Sequence, residues 1–379
     1  DLDAAVLRVL QSGQYIGGQE IAAFEESYAE ALGVSHAVSC NSGTDALILA
    51  LRALDIGEGD EVITCSFSFF ATAEAISSVG ARPVFIDIDP TNYLIDLCQI
   101  EKAITSSTKA ILPVHLFGCP VDMDQLMKLA KEHGLKIVED CAQASGAMWN
   151  GKSVGSWGDI GCFSFFPTKN LGAAGDAGIA TTQDAELARR MRELAVHGMP
   201  RRYLHTALGY NSRLDAIQAA VLNVKLPKLA GWIQQRKDIA GRYLESLKDI
   251  PGLELPFLND SRASHAWNQF VVKIKNFDVN NIPDNLDLTN SSIGSANNLT
   301  TLNPRDCLKE CLQEQGINTI IYYPIPIHLQ PAYKELSVCE VALPITEKIC
   351  KQVLSLPIFP EITLEQQDYV VEVIKKLLI

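Results

Sequence analysis

The sequence predicts an α/β fold, with a mostly parallel central sheet covered by helices on both faces and a smaller α+β C-terminal domain. Three observations carry this. Apolar strand-like runs alternate with amphipathic helical runs from residue 36 to about 182, the pattern of a parallel sheet buried on both sides. Helical patterning then dominates over Asp184–His197 and Leu214–Leu247. Around Pro251-Gly252 the character changes, and strands and helices mix. The expected division is a large domain at residues 1–250 and a small one at 251–379.

In chain order, Asp3–Leu10 reads as a helix and His36–Cys40 as the first strand. Further strands are expected at Glu61–Cys65, Pro83–Ile88, Ala110–His115, Lys136–Asp140, Ile160–Phe166 and Gly178–Thr182. Each is short, apolar and bounded by turn residues or by a helical pattern. Between them Asp45–Leu54, Ala71–Val79, Leu97–Ile104 and Met123–Glu132 carry helical spacing. Past Gly252, Asn268–Lys275 reads as a strand, Arg305–Gln315 as a helix and Ile317–Tyr322 as a strand, with two helical stretches after that. Residues 276–304 are rich in Asn, Ser and Asp and lack a sustained period, so a surface insertion is expected.

The 379 residues are enough for two domains. A net charge of −13 argues against nucleic acid or an anionic membrane as the main partner. No apolar run approaches the roughly 18 residues of a spanning helix. Ten cysteines are scattered with no C-x-x-C pair. Several lie in apolar runs, which favours buried free thiols and a reducing cytoplasm; no metal site is expected.

Three segments carry chemistry. The strand-like run Ile160–Phe166 ends at Pro167, and Lys169 follows before a Gly/Ala-rich loop. A lysine just past a buried strand is readily desolvated, which lowers its pKa and makes it a nucleophile toward a carbonyl. A solvated surface lysine is the alternative. In Val138-Glu-Asp-Cys-Ala-Gln143, Asp140 ends a buried strand, the edge where open α/β sheets bind ligands. Asp140 there suits a protonated ring nitrogen, with Gln143 one turn on; a helix N-cap is the alternative. In Ser39-Cys-Asn-Ser-Gly-Thr-Asp45, a strand turns into a helix. Free amides at Gly43, Thr44 and Asp45 would face a phosphate, and a plain Ser/Thr cap is the alternative.

An anion cradle, an acid for a ring nitrogen and a nucleophilic lysine are the parts a pyridoxal phosphate site needs. At these blocks the chain resembles the DegT/DnrJ/EryC1/StrS family of sugar aminotransferases, of fold-type I architecture. The resemblance covers nearly the whole chain. It runs from Gly13-Gln-Tyr-Ile-Gly-Gly-Gln-Glu20 and Gly59-Asp-Glu-Val-Ile63 through Ser66-Phe-Ser-Phe-Phe-Ala-Thr-Ala-Glu-Ala75 and Ser164-Phe-Phe-Pro-Thr-Lys-Asn-Leu-Gly172. It continues in Gly209-Tyr-Asn-Ser-Arg-Leu-Asp215, Tyr322-Tyr-Pro-Ile-Pro-Ile-His-Leu-Gln-Pro331 and Val353-Leu-Ser-Leu-Pro-Ile-Phe-Pro360.

The resemblance implies that Lys169 bears the cofactor and moves the substrate proton, and that Asp140 keeps the pyridine nitrogen protonated. It puts Gln143 near the ring's phenolic oxygen and Phe69 over the ring face, although Phe69 alone reads as a core residue. Ser164 and Thr44, with the amides of Thr44 and Asp45, would bind the phosphate. Asn211 would reach it from a neighbouring subunit, so a homodimer with shared sites is implied. Arg213, Tyr322, Tyr323, His197 and His328 fall near the sugar or nucleotide in relatives. Bland alternatives are a surface ion pair for Arg213, packing for the tyrosines and structural roles for the histidines.

The function so implied is transfer of an amino group from glutamate to a nucleotide-linked keto-sugar. Ser212, in Asn211-Ser-Arg-Leu-Asp215, resembles enzymes acting at carbon 3; carbon 4 enzymes more often have an aromatic there. A sugar dehydratase on this scaffold would carry histidine in place of Lys169, and a non-catalytic regulator is the rival from another class. Gly151-Lys-Ser-Val-Gly155 matches the hydrolase pattern G-x-S-x-G but lacks the strand and helix that motif needs. Three departures from the family stand out: a late start that suggests truncation or an alternative start, Ala174 where an aromatic is usual, and the 276–304 stretch.

Overall fold

A computed structural model of the chain describes residues 1–256, 260–278, 303–335 and 341–379. The helices are α1 (Leu2–Ser12), α2 (Gln19–Leu32), α3 (Gly43–Ala53), α4 (Ala71–Ser78), α5 (Leu97–Ala103), α6 (Met123–His133), α7 (Ala185–Ala195), α8 (Ala216–Lys225) and α9 (Leu229–Leu247). α10 (Pro304–Glu314), α11 (Pro331–Glu335), α12 (Pro344–Ile349) and α13 (Leu364–Leu378) follow. The strands are β1 (His36–Cys40), β2 (Glu61–Cys65), β3 (Arg82–Ile86), β4 (Thr108–Ile111), β5 (Lys136–Asp140), β6 (Met148–Trp149), β7 (Lys152–Ser153), β8 (Ile160–Ser164) and β9 (Gly178–Thr182). β10 (Leu253–Glu254), β11 (Ala263–Ser264), β12 (Phe270–Ile274) and β13 (Val353–Leu356) complete the set.

The central sheet has seven strands in the order β1-β9-β8-β5-β4-β2-β3. β3, β2, β4, β5 and β8 are mutually parallel, and β9 alone runs against its neighbours β8 and β1. All five residues of β2 are buried, so neither face of that strand meets solvent. The parallel strands end on one edge of the sheet. Ser66, Asp140 and Ser164 all lie at that edge, as the carboxyl-end rule anticipates.

Helix ends follow their local chemistry. The Asp122 and Asp184 side chains cap α6 and α7 by accepting from Gln125 N and from Glu186 and Leu187 N. Gly134, at φ 66°, closes α6 in the left-handed region. The predicted helix over Leu214–Leu247 is divided. Pro227 sits in a short 3-10 turn, Leu226–Lys228, between α8 and α9, where its missing N–H does least harm.

A second apolar core lies around the antiparallel sheet β10-β12-β13. α9, α10 and α13 supply its side chains, with Tyr243 and Phe270 in ring contact at 5.0 Å. Here the expected strand over Ile317–Tyr322 is corrected. Only Ile320 pairs, in an isolated bridge to Ser355. The strand that joins β12 is β13, whose four residues are all buried. Most of the 276–304 stretch, residues 279–302, lies outside the described residues.

Gly151–Gly155 forms the turn of a hairpin and the bend after it, with Asn150 and Gly151 both at positive φ between β6 and β7. No strand-to-helix elbow exists there. All nine described cysteines are free, and only Cys98 is exposed. No helix among the described residues is long and apolar enough to cross a membrane.

Candidate active site

Asp140 ends β5 and is 5% exposed. Its Oδ2 accepts from Thr72 Oγ1 at 2.8 Å and its Oδ1 from Ala142 N at 3.1 Å. Burial raises its pKa; the Thr72 and Ala142 hydrogen bonds, and the charge of Lys169, pull the other way. Lys169 follows a turn in which its own N–H bonds Phe166 O at 2.8 Å. Burial lowers the pKa of its ammonium, and Asp140 opposes that shift. The two groups thus share one desolvated region, as the position of Lys169 past β8 and of Asp140 at the end of β5 led one to expect.

Around them stand three aromatic and amide groups. Phe69 is 60% exposed, which contradicts its reading as a core residue and leaves a ring face open. Tyr323 lies 6.2 Å from Phe69 between centroids and receives a 2.8 Å hydrogen bond from Gln143 Nε2. Gln143 Oε1 accepts from Phe117 N at 2.7 Å, so both ends of that amide are held. Burial pushes the Tyr323 hydroxyl up, keeping it protonated.

The start of α3 lies against the end of β8. A Cβ on Gly43 would come 2.6 Å from Ser164 Cβ, so only glycine permits the approach. The amides of Gly43 and Thr44 have no partner among the described residues. Asp45 is a correction. Its N–H donates to Ser42 Oγ at 3.1 Å, the plain serine cap that competes with an anion for the same donor. Two amides without a partner among the described residues, those of Gly43 and Thr44, thus stand beside Ser164.

The remaining candidates divide. Asn211, Arg213 and His197 are exposed. Asn211 bridges to Val196, and the His197 N–H bonds Tyr210 O at 2.8 Å. Arg213 is in no ion pair among the described residues, against the surface salt-bridge alternative. Tyr322 lines a cavity of about 500 Å3 together with Lys169 and Asn170. His328 is corrected to a structural role. It is 1% exposed, with Nδ1 at 2.7 Å from Ser66 Oγ and Nε2 at 3.4 Å from Glu347. Both ring nitrogens are taken, which ties the chain after Tyr323 to the end of β2.

Two groups escaped the sequence reading. Thr72 lay within a quoted block yet had no assigned role; its place in the first turn of α4 is the signal that could have found it. Glu139 is fully buried beside Asp140 and accepts from Gly155, Trp157 and Gly158 N–H groups and from His115 Nε2 at 3.0 Å. His115 Nδ1 accepts from Val121 N, which fixes the neutral tautomer. The His115, Glu139 and Cys141 cluster is thus consumed by hydrogen bonding.

A buried carboxylate facing a desolvated lysine, an exposed ring face and an unpartnered helix N-terminus beside a serine fit pyridoxal phosphate. These features define a pyridoxal phosphate-dependent aminotransferase of fold type I. The model of the DegT/DnrJ/EryC1/StrS aminotransferase family matches residues 1–375, and the chain belongs to that family. It is 46% identical over 371 residues, 98% of this chain and 92% of the relative, to a UDP-N-acetyl-3-dehydro-alpha-D-glucosamine 3-aminotransferase of Acidithiobacillus ferrooxidans. It is 44% identical, over 96% of this chain and 91% of the relative, to a protein of Geobacillus stearothermophilus named pleiotropic regulatory protein. Among solved structures it is similar to S. venezuelae DesV at a TM-score of 0.89 and 41% identity, covering 99% of this chain and 93% of that one. It is also similar to NtdA of Bacillus subtilis, solved with bound PMP, at a TM-score of 0.83 and 32% identity, covering 100% of this chain and 81% of that one.

Proposed function

We propose that this aminotransferase moves the amino group of glutamate to carbon 3 of a nucleotide-linked keto-sugar. The observation that carries the chemistry is the pairing of a buried Asp140, held by Thr72, with a desolvated Lys169 at the same sheet edge. Pyridoxal phosphate, when bound, supplies an electron sink for charge developing at the substrate carbon. Asp140 keeps the ring nitrogen protonated. Lys169 would carry the cofactor and would take and return the substrate proton, its ammonium already disfavoured by burial. The exposed Phe69 ring would lie against one face of the cofactor ring. Gly43 and Thr44 amides and the Ser164 hydroxyl would hold the phosphate.

Arg213, His197, Tyr322 and Tyr323 are assigned to the sugar nucleotide. Exposed Asn211 is assigned to the phosphate of a second subunit's cofactor, which makes the working unit a homodimer. Residues 1–250 and 251–379 form the large and small domains, and the free thiols suit a cytoplasmic enzyme. Carbon 3 is supported by the name of the A. ferrooxidans relative. Ser212 contributes less, because it is buried against Asn41 Oδ1 at 3.2 Å. Lysine rather than histidine at 169 argues against a dehydratase.

Incubating the loaded enzyme with glutamate tests the class, since a transaminase makes 2-oxoglutarate and a regulator does not. A panel of UDP-, dTDP- and GDP-linked 3- and 4-keto-sugars, with products identified by mass, tests the acceptor. No amino sugar from any 3-keto substrate, with product from a 4-keto one, overturns the carbon 3 assignment.

A further inference from the structure

The cavity beside Lys169 is bounded on its far side by α8, α9 and the segment after β13. Besides Lys169, two cations line it, Arg236 of α9 and Lys225 of α8, together with one carboxylate, Glu361. Arg236 is 6% exposed. Its Nη1 is spent on backbone, donating to the carbonyl oxygens of Trp267 at 3.0 Å, Asn268 at 3.4 Å and Ile358 at 3.0 Å. Its Nε is buried without a partner, and Nη2 has none among the described residues. The Nε and Nη2 hydrogens are parallel and form the edge of a guanidinium that grips a carboxylate or phosphate with two bonds. A buried cation with that edge unfilled is costly unless an anion meets it.

Burial pushes the Arg236 guanidinium down to about 10, and Glu361 opposes the shift. It therefore stays charged at neutral pH. The Lys225 ammonium donates to Gly172 O at 2.7 Å, in the loop that follows Lys169. One of its three hydrogens is thereby used and two remain. Beside Arg236, Asn268 Nδ2 donates to Asn170 Oδ1 at 3.0 Å while Asn170 Nδ2 donates to Ala266 O at 2.9 Å. That chain fixes the Asn268 amide and leaves its Oδ1 without a donor.

We propose that this cavity is a two-cation site for the amino donor, with the Nε/Nη2 edge of Arg236 taking one carboxylate of a dicarboxylate amino acid and Lys225 the other. The inference rests on the transaminase reading above. Two anionic groups on one small molecule could also be the diphosphate of the sugar nucleotide. Bond counting separates the sources. A donor reacting at Lys169 has a carboxylate one bond from its reacting carbon. A sugar reacting at carbon 3 has two more ring carbons, and then an oxygen, before its first phosphorus. The cations share a cavity with Lys169 itself, which favours the donor.

Glutarate, a dicarboxylate with no amine, is the probe, and UDP is the control for the nucleotide. Affinity is read on the cofactor-loaded enzyme from displacement of glutamate in the half-reaction and from the change in cofactor absorbance. Lys225→Gln and Arg236→Lys should each weaken glutarate about tenfold or more, the scale of one charge-assisted hydrogen bond. Lys225→Gln should also cut the preference for glutamate over alanine, which has no second carboxylate. If Arg236→Lys does not load, Lys225→Gln decides alone. Wild-type glutarate affinity in a folded, loaded Lys225→Gln enzyme overturns the proposal. Loss of UDP affinity with glutarate unchanged also overturns it and assigns the cations to the nucleotide. Failure of the wild-type enzyme to make 2-oxoglutarate would instead sink the transaminase reading, while glutarate affinity read from cofactor absorbance, which needs no turnover, still tests the site.

Discussion

Thr72→Val keeps the side-chain shape and removes the hydroxyl that bonds both Asp140 and Ser68. The Thr72 hydroxyl donates to Asp140 Oδ2 at 2.8 Å and exchanges a 2.7 Å hydrogen bond with Ser68 Oγ. Valine keeps the shape, so the loss is the donor and not the packing. A hydrogen bond to a charged group is worth about 1.5–3 kcal/mol. Removing it disfavours the ionised Asp140 by about ten- to a hundredfold, since each 1.4 kcal/mol is a factor of ten. Ala142 N remains as the other donor, at 3.1 Å, so the carboxylate is weakened and not lost. Single-turnover conversion with saturating glutamate should slow by at least about tenfold in the loaded enzyme. Thr72→Ser retains the hydroxyl and should stay near wild type. A loaded Thr72→Val enzyme that runs the half-reaction at the wild-type rate refutes the claim that Thr72 supports the Asp140 charge.

Other tests are independent of that one. Gly43→Ala would place a Cβ 2.6 Å from Ser164 Cβ; about 1–3 kcal/mol of overpacking should appear as a lower Tm and weaker cofactor binding, and unchanged cofactor affinity would remove Gly43 from the cradle. Burial raises the Asp140 pKa above 3.8, so the fold holds that proton more tightly than the unfolded chain does. The stability this contributes is full below 3.8 and is lost as pH rises through the raised value. Cofactor-free Asp140→Asn should therefore melt near wild type at about pH 4 and above it at about pH 7, as scanning calorimetry would register. Sedimentation of the loaded enzyme should give a dimer, and Asn211→Ala should lose cofactor affinity; a fully active monomer contradicts the shared site.

Local chemistry was readable in the sequence, and long-range contact was not. Lys136–Asp140 is a strand over the residues expected, because an apolar run with a terminal acid is a short-range signal. The desolvation of Lys169 likewise follows from its place past β8. Asp45 went the other way, because its amide donates to the hydroxyl of Ser42, three positions earlier. The role of His328 depends on Ser66, 262 positions earlier, and no periodicity reports such a pairing. The same holds for the strand expected at 317–322. Its residues have the composition of a strand, but only Ile320 pairs, with Ser355 of β13. Arg236 lies in a stretch whose sequence shows only a helical pattern, and the carbonyls of Trp267, Asn268 and Ile358 that receive its hydrogen bonds come from distant parts of the chain.

The central claim is that Lys169, and no other lysine, bears the cofactor. Borohydride reduction of the loaded enzyme followed by peptide mapping tests it directly. The account predicts the pyridoxyl group on Lys169, within Ser164-Phe-Phe-Pro-Thr-Lys-Asn-Leu-Gly172, and no label in Lys169→Ala. A label on Lys225 or any other lysine, with Lys169 unmodified, would contradict it.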